Sequence, residues 1–228
     1  RRPALRAHPV NRRFRCADVE VDRDILVLTD FPQRIPVLGA KIGDHVAIDA
    51  ESQLIIAMVQ SPKRDQSTCN RLVEDLASRL VKAPALVTTD EHEPYAKALL
   101  EVFGQPYRMA SADGTEAQMK KRMPKGMVHA TVKKTREKGR VAQIRTTLTL
   151  GSAESLAAAL GLCTASTSIN TAFIERYNGT ARHFNARKAR KTYSFSKANE
   201  EHEAMSWLMV THYNFCWAHG SLRLQRHD

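Results

Sequence analysis

An α/β domain is the fold class this sequence predicts, and three observations carry it. Short apolar runs with strand alternation occupy much of residues 16–90. Two stretches of helix-spaced apolar residues lie among and just after them, and the last third of the chain is mostly helical in period. The resulting order is roughly β-β-β-α-β-α-(β)-α-α.

Taken in order, residues 1–15 (RRPALRAHPVNRRFR) are basic, contain two prolines and show no periodicity. They read as an arm or linker ahead of a domain spanning 16–228. CADVEVD (16–22) alternates Val19 and Val21 with Glu20 and Asp22, as a half-buried strand does. DFPQRIPVLGAKIGD (30–44) carries loop signals, and HVAIDAESQLIIAMVQ (45–60) reads as two strands around a turn at Ala50–Ser52. Cys69, Leu72, Val73, Leu76 and Leu80 then recur at helical spacing, with Asp65 or Ser67 as the cap and Pro84 as the stop.

ALVTTD (85–90) suits a buried strand, and EPYAKALLEVFG a helix opened by Pro94 and closed by Gly104. Residues 105–140 are basic and irregular, VAQIRTTLTL (141–150) suits another strand, and AESLAAALGL a short helix. In TAFIERYNGTARHFNARKARK (171–191), Phe173, Tyr177, Ala181 and Phe184 form one helical stripe. Glu175, Asn178 and Arg182 form another on a different face. A last helix is expected over 198–215, with Glu200, Glu201 and Glu203 near its positive end. Met205, Leu208, Met209 and Phe215 are its packing residues.

Charge narrows the function classes. The net charge of +11 is confined to the second half: residues 1–118 balance at −1 and residues 119–228 at +12. A basic half joined to a neutral one points to a polyanion, most often nucleic acid. Cys16, Cys69, Cys163 and Cys216 are scattered without metal-ligand or disulfide spacing, so a reducing, cytoplasmic setting is the expectation. No apolar run approaches a membrane span.

Phosphodiester chemistry on nucleic acid needs charge neutralised on the attacking and leaving oxygens. Clustered carboxylates holding two Mg²⁺ ions roughly 4 Å apart supply that. Acids at element ends are therefore the candidates: Asp22 ending VEVD, Asp49 in AIDAES, Asp90 ending LVTTD, and Glu175, the single acid of the basic 171–191 segment.

The wording of three stretches adds a resemblance. TTDEHEPYAKAL, FIERYNGTARHFNARKARKTYSFSK and THYNFCWAHGSLR together resemble the DDE-class transposases of bacterial insertion sequences, closest to the insertion sequence one family. The likeness covers roughly residues 16–225 and is most specific in the last third. It implies an RNase H-like core with a five-stranded mixed sheet flanked by helices, and three metal-binding acids that are also the catalytic residues. Asp90 matches the second acid and Glu175 the third. For the first, Asp22 is preferred over Asp49, because in that fold strands one and four lie parallel and bring their ends to one sheet edge. Asp49, at the far end of an antiparallel strand, is expected to cap its hairpin turn instead.

The resemblance further implies Mg²⁺-dependent DNA cleavage and strand transfer, with two ions that Mn²⁺ can replace. The implied partners are transposon-end and target DNA, with at least a homodimer on the DNA and a nucleoid location when bound. Arg182, Lys188, Arg190, Lys191 and Lys197 are the expected phosphate contacts. The sequence also departs from the family. Glu91 stands where a Gly is usual after the second acid, and 105–165 reads as a basic insertion. RDILVLTDF replaces an aromatic-rich stretch, and no zinc-binding or helix-turn-helix module is visible ahead of residue 16. The alternative is thus a catalytically inactive or domesticated DNA-binding derivative; a nuclease acting on RNA–DNA hybrids is a third reading.

Overall fold

The computed structural model describes residues 25–32, 43–109, 118–189, 194 and 196–220. Asp22, Arg190 and Lys191, and the strand expected at 16–22, lie outside the described residues. Eight strands are described: β1 (Ile25–Pro32), β2 (Gly43–Asp49), β3 (Ile55–Ser61), β4 (Leu86–Asp90), β5 (Gln105–Met109), β6 (Gln118–Arg122), β7 (Val128–Glu137) and β8 (Arg140–Leu150). Five helices accompany them: α1 (Gln66–Ala77), α2 (Pro94–Phe103), α3 (Ala153–Leu162), α4 (Ala172–Phe184) and α5 (Asn199–Thr211).

Six strands form one mixed sheet in the order β3-β2-β1-β4-β7-β8, while β5 and β6 pair as a separate ribbon. β1, β4 and β7 run parallel; β2 is antiparallel to both β1 and β3, and β8 is antiparallel to β7. The α/β class holds, and the expected five strands become six. The strand not expected is β7, which arises from residues read as irregular and pairs with the strand expected at 141–150, here β8. In VHATVKKTRE only the first half is buried, so its alternation is hidden by a solvated second half.

Side chains alternate across the sheet, which splits the core in two. On one side Leu26, Leu28, Ala47 and Val87 pack beneath α1 and α2 with Cys69, Leu72, Leu76, Tyr95 and Leu99. On the other side Val27, Val46, Ile48, Leu86, Val128 and Ala130 pack with Ile174 and Tyr177 of α4 and Met209 and Val210 of α5. Each fully buried Leu or Ile in these layers contributes about 2 kcal/mol from removal of apolar surface from water. α1 starts as expected: the Asp65 carboxylate accepts from the Thr68 amide at 3.0 Å.

Two helical faces differ from expectation. α4 turns Ile174, Tyr177, Asn178 and Ala181 inward, while Phe184 is 44% exposed and stacks edge-on against Trp217 at 4.6 Å between ring centroids. α5 buries His202, Ser206, Met209 and Val210 and leaves Leu208 exposed, as Phe215 is in the π-helical turn (His212–Cys216) that follows it. Its inward face is half polar because it meets a buried carboxylate, described below.

Gly151 follows β8 at φ +99, and a Cβ there would stand 2.5 Å from Val128 Cγ1 and 3.0 Å from the Met127 carbonyl. Gly151→Ala is therefore expected to lower stability by about 1–3 kcal/mol, measured by urea unfolding.

Candidate functional site

The parallel strands β1, β4 and β7 deliver their C-terminal ends to one edge of the sheet. Asp90, the last residue of β4, is in register with Val132 of β7. Its carboxylate accepts weakly from the His92 amide at 3.4 Å and stands 3.7 Å from the Arg64 guanidinium. Burial pushes the Asp90 carboxyl above its ordinary value, partly countered by Arg64 and the His92 amide.

Glu175 sits in the first turn of α4, where the helix N-terminus favours an acid. One carboxylate oxygen accepts from Lys134 Nζ at 2.5 Å and Thr171 Oγ1 at 2.7 Å. Burial alone would raise this carboxyl; the hydrogen bonds from Lys134 and Thr171 and the charges of Lys134 and Arg136 outweigh it and hold it below its ordinary value. Lys134 lies two residues past Val132 and so on the same face of β7. Asp90 and Glu175 are thus brought to the same end of the sheet, around consecutive same-face positions of one strand.

The strand described beside β4 is Ile25–Pro32. The strand expected at 16–22, with Asp22 at its end, lies outside the described residues. The loop expected from residue 30 is corrected for Asp30–Pro32, which continue β1. The acid within β1 is Asp30, two residues beyond Leu28, the register partner of Thr89. Its backbone position is at the edge where β4 ends in Asp90. Asp49 is at the other end, paired with Leu26. As expected it secures the hairpin: its carboxylate accepts from the Glu51 amide at 3.3 Å, the Ser52 amide at 2.9 Å and the Ser52 hydroxyl.

Glu91, the departure from the family pattern, pairs with Lys133 at 2.7 Å, one residue before Lys134 and hence on the opposite face of β7. His92 packs edge-on against Tyr95 at 5.6 Å between ring centroids, and burial lowers its basicity.

Among the expected phosphate contacts, Lys188 is corrected. It ends a one-turn 3₁₀ segment after α4, is 4% exposed, and places Nζ 2.6 Å from Asp44 Oδ2. His202 Nε2 lies 3.2 Å from the other Asp44 oxygen. Asp44, the second residue of β2, is buried, where an unpaired carboxylate would be costly, so the basic run folds Lys188 inward instead of offering it to solvent. Asn178, on the expected Glu175 face, is also buried, at 9% exposure. Arg182 is half-buried and Lys197 exposed.

The tail motif has a packing role. The Asn214 side chain accepts from the Ile55 amide at 3.0 Å and donates to its carbonyl at 2.9 Å, covering the edge of β3. Tyr213 stacks edge-on against Tyr177 and His219.

Two carboxylates at one edge are hard oxygen ligands of the kind Mg²⁺ takes. Among the described residues, however, no group of three or more His, Cys, Asp or Glu gathers where it could hold a metal ion. The described side chains therefore do not complete a two-ion site. Arg64, Lys134, Asp44 and His202 had no signal in the sequence, since nothing in their spacing ties them to partners 26 to 158 positions away. No described helix is long and apolar enough to cross a membrane. Neither a protein-family model nor a curated protein matches this chain.

Proposed function

We propose that this chain is the catalytic domain of a DDE-class DNA transposase built on an RNase H-like fold. One observation carries the reading: Asp90 and Glu175, the two acids singled out by resemblance, are both tied to the same end of the sheet, Asp90 by its register with Val132 and Glu175 by its bond from Lys134. The strand order supports it, since an antiparallel β3-β2-β1 half joined to parallel β4 and β7 is the arrangement that fold requires.

In this reading Asp90 and Glu175 are metal-binding and catalytic, and the third acid comes from β1 or the segment before it. The two candidates are Asp22, which the resemblance prefers and which lies outside the described residues, and Asp30, which is at the shared edge but aligns with Glu91 rather than with Asp90. Mg²⁺, when bound, would neutralise charge on the reacting phosphodiester. The chain's own contribution is to hold DNA through Arg182, Lys197 and the undescribed Arg190 and Lys191, and to keep Glu175 ionised beside Lys134. Two copies would pair two transposon ends.

Asp90→Ala is expected to reduce Mg²⁺-dependent nicking of supercoiled DNA to background. Binding to the same DNA in EDTA should stay within about twofold, because one buffered charge changes little of a many-phosphate contact. Nicking at the parental rate would overturn the assignment. Comparing Asp30→Ala with Asp22→Ala in the same assay identifies the third acid as the one whose removal abolishes nicking.

A second reading, a DNA-binding derivative without catalysis, is favoured by the basic partner each acid already has: Arg64 beside Asp90 and Lys134 on Glu175. It predicts no nicking by the parental protein with either Mg²⁺ or Mn²⁺, and undiminished DNA binding.

A further inference from the structure

Beyond Val132, β7 has no sheet neighbour except β8, because β4 ends at Asp90. From Lys133 to Thr146 the two strands form a projecting ribbon, in which every residue is exposed except the half-buried Lys134. Its turn is Lys138–Gly139, both at positive φ (48° and 80°), closed by the pair Glu137 and Arg140. Two left-handed residues in a two-residue loop make the hairpin turn whose twist matches its strands. The ribbon is thus a formed element rather than a loose loop.

Its chemistry is one-sided. Lys133, Lys134, Arg136, Lys138, Arg140 and Arg145 stand against the single acid Glu137. Thr135 faces Gln143 across the ribbon, and Lys133 faces Arg145. The exposed apolar residues are Val141 and Ile144, the latter 58% exposed and paired with Lys134, the residue that holds Glu175. So the base of the ribbon is in direct contact with the candidate site.

We propose that this ribbon is a DNA-holding arm that enters the major groove of B-form duplex beside the site. A two-stranded ribbon fits a groove about 12 Å wide, whereas the deep, narrow major groove of A-form RNA does not admit it. The cations meet the phosphates lining the groove. Gln143 and Thr135, paired on one face of the ribbon, reach base edges from mid-ribbon. The proposal rests on the DNA reading above, and names the element that would steer the duplex toward Asp90 and Glu175.

The test is fluorescence anisotropy in EDTA with a 20-base-pair DNA duplex and an RNA duplex of matching sequence, for the parental chain and for K138Q/R140Q/R145Q. A control variant, R71Q/K82Q/K125Q, removes three exposed cations elsewhere. Thermal unfolding confirms that both variants fold. The ribbon variant is expected to lower the slope of log K against log salt by about 0.9 per phosphate lost, up to about 3, on DNA. It should weaken DNA binding at least tenfold, with a much smaller effect on RNA and in the control. Parental-like DNA affinity and slope in the ribbon variant would overturn the arm while leaving the DNA reading intact. Equal losses on RNA duplex would overturn the groove placement, and displacement by the minor-groove ligand netropsin would do the same. No DNA binding by the parental chain would overturn both this proposal and the transposase reading.

Discussion

Lys188→Ala is expected to lower the unfolding free energy by about 3–5 kcal/mol, the largest stability effect of a single substitution proposed for this chain. The Lys188 side chain is 1% exposed and that of Asp44 3%, with the ammonium 2.6 Å from the carboxylate. Removing the lysine takes the ammonium away from a buried carboxylate that also meets His202, and the cost is that of an under-compensated charge rather than of the lost contact. The pH dependence separates this cause from simple loss of packing. In the parental chain burial pushes the Asp44 carboxyl up, but Lys188 and His202 outweigh it and hold it below its ordinary 3.8. A depressed folded pKa gives stability that is present above 3.8 and lost as pH falls through the lower folded value. In the alanine variant burial should dominate and raise the carboxyl, so protonation favours its folded state. The gap between parental and variant stability should therefore narrow as the pH is lowered from 7 toward 4. Urea unfolding at several pH values measures it; a constant gap would mean that volume, not charge, is lost. Lys188→Met, which keeps much of the volume, should be nearly as destabilising at pH 7.

Glu175→Gln carries the largest expected effect on activity. If Glu175 is a metal-binding acid, replacing its ionised oxygen by an amide should remove several kcal/mol of charge stabilisation, about a thousand-fold or more in Mg²⁺-dependent nicking. Fold stability should change little, because the side chain is 47% exposed and its pair with Lys134 is a surface interaction worth about 0–1 kcal/mol. Lys134→Ala provides the complementary measurement. The ammonium occupies the carboxylate that the cation would need, so its removal should lower the Mg²⁺ requirement by up to about fivefold, matching a pair of that strength. Nicking assays over a Mg²⁺ titration read both variants. Unchanged nicking by Glu175→Gln would remove the acid from the chemistry. A Lys134→Ala variant that needs more Mg²⁺ would instead make the lysine a phosphate ligand.

Both experiments bear on residues that sequence and structure reveal unequally. Local patterns were legible: the β2–β3 hairpin and its Asp49 turn, the Asp65-capped α1, β4 ending at Asp90, and α2 between Pro94 and Gly104 all follow from periodicity and end signals. β7 was not legible, because its basic, solvated half masks the alternation of its buried half. The inward face of α5 was not legible either, because the partner that makes His202 an interior residue is Asp44, 158 positions away.

By itself the sequence determined the α/β class, the basic second half and the choice of Asp90 and Glu175 as acids worth following. Only the tertiary structure decided that Lys188 is an interior counter-ion rather than a surface cation. It alone put Asp30 on the strand beside β4, and joined a run read as irregular to the strand after it as a projecting ribbon. The reason is physical: periodicity records whether a residue faces water or its neighbours in the chain, whereas the charge a buried carboxylate needs is set by whichever distant segment the fold lays against it.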